Sequence, residues 1–148
     1  MDFKYYKPYG EKLDEFDIEK IEAAVKSSLP ADYKTFLLER GGGDVVGLSH
    51  LIFSDVENDV LVFYGKDGEL DLDPMSRDLR LGHVPSGFPD NSLIIADDMG
   101  GNSYFSIFSN GAMEIRWMGY LRDVEHVHVA DSFTAFIDMI KVSPYDDS

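Results

Sequence analysis

The spacing of apolar residues changes twice along the chain, and this limits the fold more than any single motif. From residue 17 to 43 the period is helical. Ile18, Ile21, Val25 and Leu29 share one face, while Glu19, Lys20, Glu22 and Lys26 lie opposite, with Asp17 placed to cap the start. Pro30 predicts the start of a second helix, because proline is tolerated at the first helical position. Tyr33, Phe36 and Leu37 give its buried stripe, and Gly41, Gly42 and Gly43 end it, since glycine enters the left-handed conformation cheaply.

Beyond the glycines the pattern turns strand-like. Residues 45–53 and the β-branched, aromatic run VLVFY at 60–64 read as strands. Residues 65–68 read as a turn and 69–72 as a short return strand. Prolines and glycines interrupt 73–92, leaving a loop with a short helix near 76–81. Strands follow at 93–96, 103–108 and 113–118. The last two are joined through Asn110-Gly111, a strong hairpin signal. Residues 126–129 give one more short strand near an edge. The helical period then returns: Asp131 can cap a helix carrying Phe133, Phe136, Ile137 and Ile140 on one face, stopped by Pro144 and the acidic tail. Helices and strands in separate blocks predict α+β: a central, mostly antiparallel sheet with two N-terminal helices and one C-terminal helix packed on it. With 148 residues and neither internal repeat nor linker, the expectation is a single domain, 1–148.

Charge narrows the function classes. Thirteen Lys and Arg face 28 Asp and Glu, a net charge of −15. Phosphate backbones and anionic membrane surfaces repel such a chain, so neither nucleic acid nor membrane is an expected partner. The surplus serves solubility, or attraction to a basic protein. The absence of cysteine removes disulfides, thiolate zinc sites and cysteine nucleophiles. The N-terminal MDFKYYKPYG lacks the apolar core of a signal peptide, which gives an expectation of a cytoplasmic protein.

The motifs that carry chemistry fail on spacing. Gly41 to Gly43 opens like a dinucleotide loop, but Val46 stands where the third glycine belongs and a helix precedes it. Gly47-Leu48-Ser49-His50-Leu51 lacks the second glycine of a nucleophile elbow. In the turn Asp97-Asp98-Met99-Gly100-Gly101-Asn102, adjacent aspartates point to opposite faces of a regular strand, no acid closes a calcium loop before Glu114, and a strand follows where a phosphate site needs a helix. Its residues suit chain reversal, with the acids displayed. His126 and His128 alternate on a strand with Asp131 nearby, the best metal-like set, and HVHVAD looks like a metallohydrolase loop; only His50 and His83 remain to extend it. Asp67, Glu69, Asp71 and Asp73 also alternate, but Leu72 sits where a calcium loop needs glycine. Trp117, beside Ile115 on one face, reads as core or as a recognition residue.

Three segments, in this order, resemble the SUKH superfamily, the domain shared by fungal cell-wall assembly regulators and many bacterial immunity proteins. They are LPADYKTFLLERGGG from Leu29, the strand–turn–strand of 93–108 with NGAMEIRW behind it, and HVADSFTAFIDMI from His128. The resemblance covers residues 15–141, leaving a short N-terminal arm and an acidic tail. It implies an α+β fold and a non-enzymatic protein without cofactor, metal or catalytic residues. It also implies a cognate partner: a toxin with a basic surface, such as a nuclease, of a bacterial polymorphic-toxin or contact-dependent inhibition system. The alternatives are a scaffold or regulatory binding module, and a metal-dependent hydrolase using His126, His128 and Asp131. The expected interface comprises Asp67, Glu69, Asp71, Asp73, Asp97, Asp98, Asn102, Arg116 and Tyr120, on a monomer or weak dimer.

Overall fold

The structure is a computed structural model that describes residues 1–9, 12–65, 89–119 and 126–145. The expected turn at 66–68, return strand at 69–72 and helix near 76–81 lie outside the described residues. So do Asp67, Glu69, Asp71, Asp73 and Tyr120.

Helix α1 spans Glu15–Val25, and its cap is Asp14 rather than Asp17. The Asp14 carboxylate accepts from the Asp17 amide while the Asp17 side chain accepts from the Asp14 amide, each at 2.9 Å. This reciprocal box satisfies two of the donors that a helix start leaves open. Helix α2 spans Ala31–Glu39 behind Pro30 and ends at Gly41, whose φ of 69° is the left-handed conformation read from the sequence. Helix α3 spans Phe133–Met139, and here the cap moves by one position: Ser132, not Asp131, accepts from the Ala135 amide.

Among the described residues the strands form two antiparallel sheets. The large one has the order β1-β2-β5-β6-β7-β8-β9. Its strands are β1 (Tyr6–Pro8), β2 (Gly43–Val45), β5 (Val62–Phe63), β6 (Ser92–Asp97), β7 (Ser103–Ser109), β8 (Ala112–Met118) and β9 (His126–Ala130). The small sheet has the order β10-β3-β4, built from β3 (Leu48–Phe53), β4 (Val56–Asn58) and β10 (Lys141–Ser143). The region 45–53, expected as one strand, divides at Val46 and Gly47 into β2 and β3, which belong to different sheets. The last helix is not simply stopped by Pro144. The chain turns at Ile140 into β10, which pairs Lys141 with His50.

Helices α2 and α3 lie on one face of the large sheet. Phe36 of α2 meets Phe63 of β5 and Phe133 of α3 at ring-centroid distances of 5.5 and 4.9 Å, and Phe136 of α3 meets Tyr104 of β7 at 5.1 Å. Burying each such ring contributes about 1.5–3 kcal/mol. The small sheet reaches the same face, where Phe53 of β3 lies 6.0 Å from both Tyr104 and Trp117. That contact sets the small sheet beside the β6–β7 turn.

Candidate functional site

The 97–102 turn reverses the chain, as its residues suggest: Asp97 pairs with Ser103 across it. The backbone closes a tight loop, in which the Asp98 amide donates to the Asn102 carbonyl (3.0 Å) and the Gly101 amide to the Asp98 carbonyl (3.3 Å). Gly101 has φ 84°, a conformation that glycine adopts without a Cβ penalty.

The aspartates do not behave as displayed acids. Asp98 is only 2% exposed, so that expectation is corrected for this residue. A buried carboxyl group needs donors, and the fold brings them from three directions. The Trp117 indole N–H (3.0 Å) comes from β8, the Asn58 side-chain amide (3.0 Å) from β4, and the Asn102 backbone amide (2.8 Å) from the turn itself. The Asn102 side chain adds a longer contact at 3.3 Å. Asp97 is half-buried, accepting from the Tyr64 hydroxyl at 2.9 Å and the Ser103 hydroxyl at 2.8 Å. Behind them the Tyr104 hydroxyl donates to the Asp59 carbonyl, and the Met99 amide to the Asp59 carboxylate, both at 2.8 Å. Burial first, and the charges of Asp98 and Asp59 after it, push the Tyr104 phenol far above its ordinary value, so it remains a donor.

This network leaves Met99 projecting from a rigid turn, 69% exposed, with Gly100 and Gly101 exposed beside it. Sequence reasoning placed the turn at the interface but missed Met99, Asn58 and Asp59. The signal for Met99 was there: a large apolar residue between an aspartate pair and a glycine pair has no core to enter. Asn58 and Asp59 carried no local signal, because their role depends on contacts some 40 positions away.

A second polar cluster lies where β8 meets β9. Arg116 hydrogen-bonds Glu114 on its own strand and donates to the His126 carbonyl at 2.9 Å. His128 sits between two acids, with Nδ1 3.3 Å from Glu114 and Nε2 3.3 Å from Asp131. His126 instead sets its ring edge-on to Phe105 at 4.8 Å. The two imidazoles therefore take different partners, and among the described residues no three His, Asp or Glu side chains are grouped to hold a metal ion. Burial outweighs other single influences on Glu114, yet the hydrogen bonds and charges of Arg116 and His128 together hold its carboxyl below the ordinary range. Arg116, expected at the interface, thus clips the edge strand to the sheet, and the structure does not bring it together with the 97–102 turn.

A sequence profile described as the SMI1 / KNR4 family (SUKH-1) matches residues 12–139. The chain belongs to that family. The match takes in α1, α2, the β6–β7 turn, the β8–β9 clip and all of α3, so both polar clusters sit inside the SUKH-1 unit. No curated protein matches the chain. The SUKH-1 fold here is α+β with helices packed on a large antiparallel sheet, as the resemblance implied. No helix among the described residues is long and apolar enough to cross a membrane.

Proposed function

We propose that this SUKH-1 protein is a non-enzymatic immunity protein, which binds and neutralises a protein toxin whose working surface is basic, a nuclease of a polymorphic-toxin or contact-dependent inhibition system. The observation that carries the reading is the net charge of −15 on a member of this family. A nuclease cleft is cationic because it must hold phosphate, and an anionic protein is steered towards it. Acidic side chains then occupy the positions that phosphates would take and close the cleft by occlusion. No bond is made or broken. Residues 67–73 and the 97–102 turn are proposed for contact, with the buried Asp98 as the support of its turn and not as a contact.

The test is co-expression of the chain with the product of the gene beside its own. The proposal expects cells that die from that product alone to survive when the chain is present. Continued killing, with both proteins soluble, would overturn it.

A further inference from the structure

Large apolar side chains on the surface do not all have the same surroundings. Phe16 of α1 is 63% exposed, but the Lys20 ammonium lies 4.9 Å over its ring. Leu48 and Ile52 of β3 are 50% and 55% exposed, and between them His50 pairs with Lys141 of β10. Met99, at 69%, is the most exposed large apolar residue among those described. The hydrogen bonds of the turn place acids beside it: the Met99 amide donates to the Asp59 carboxylate, and Asp97 stands at the base of the turn, paired with Ser103. Strand β4, whose Asn58 reaches Asp98, adds the exposed Glu57. Leu61, 41% exposed, adjoins the turn, its amide donating to the Asp97 carbonyl at 2.8 Å.

An apolar anchor on a rigid support loses little conformational entropy when it docks. Methionine also adapts its shape to an apolar recess and gains polarisable contacts there. The charge around the anchor then selects the occupant. A second copy of this chain would bring acid against acid, and nucleic acid or an anionic lipid surface would be repelled in the same way. A cationic protein surface is attracted.

We infer that the 97–102 turn is a preformed docking tip for a cationic protein surface bearing an apolar recess, with Met99 as the anchor and Leu61 widening the apolar contact. The inference rests on reading the chain as a protein-binding module, and it replaces acids alone with an apolar centre inside an acidic setting. In such an arrangement the charges govern encounter and the buried anchor governs residence.

The test uses the full chain, labelled for amide NMR, and two probes: octalysine, and an octapeptide of alternating lysine and leucine. The lysine–leucine peptide is expected to shift the amides of Met99, Gly100, Gly101 and Leu61 and to bind more tightly than octalysine. Met99→Ser is expected to weaken that binding about fivefold, while Phe16→Ser leaves it unchanged. Shifts centred on Phe16 or on the Leu48–Ile52 side of β3, or equal affinity for Met99→Ser and the parent chain, would overturn the inference. The map is read without a toxin. Its failure therefore removes the tip and leaves the co-expression result standing, and a failed rescue leaves the map standing.

Discussion

At the scale of single residues, the decisive feature is a carboxyl group buried among neutral donors. Asp98 takes hydrogen bonds from Trp117, Asn58 and Asn102, so removing one donor leaves an acceptor that water cannot easily reach. Trp117→Phe keeps an aromatic ring but deletes the indole N–H together with part of the ring system. We expect a loss of about 1–3 kcal/mol in urea unfolding, and an unchanged midpoint would contradict the network. Tyr33 offers the opposite case. Its ring is 1% exposed and its hydroxyl has no hydrogen-bond partner among the described residues, and burial pushes the phenol well above its ordinary value. Tyr33→Phe should therefore be neutral or stabilising by up to about 1 kcal/mol, read from the same unfolding curves. A clear loss of stability would show that the hydroxyl matters to the fold. The aspartate pair was legible in the sequence as a turn, because glycine and asparagine announce local backbone geometry. The inward direction of Asp98 was not, because its donors come from β4 and β8.

At the scale of elements, period and punctuation located most of the secondary structure, and tertiary pairing decided the rest. Ile18, Ile21 and Val25 predicted α1, and Gly41 predicted the end of α2. Asp14 and Ser132 took the caps expected of Asp17 and Asp131, because more than one residue able to cap stands within a turn of each helix start and the entry angle of the chain chooses among them. The division at Val46 and Gly47 was hidden for a different reason. Apolar alternation reports a strand but not the sheet it joins. The edge strand β9 gives a pH prediction. Burial first, and the Arg116 charge second, hold the His126 imidazole below its ordinary value. Between the two values the unfolded chain binds more protons than the folded one, so stability rises with pH there. The contribution is complete above about pH 6.5 and is lost as pH falls through the lowered folded value. His126→Gln should flatten the decline of thermal midpoint between about pH 7 and pH 5 relative to the parent chain. Equal slopes would show that this group does not set the acid limb.

At the scale of the whole molecule, the account concerns a surface and its charge. Fold class was readable because blocks of one period followed blocks of another, and the SUKH-1 match agrees with that reading. The proposed docking face was only partly readable: composition gives the sign of the net charge, while the contact between Asp59 and the Met99 amide depends on which strands the fold brings together. The most direct measurement is the association rate constant with the protein toxin proposed as its partner, taken by stopped flow from about 20 mM to about 500 mM salt, a range over which the screening length falls severalfold. The account predicts a fall of about tenfold or more in the association rate, with a much smaller change in the dissociation rate. An association rate that stays flat across that range would contradict it.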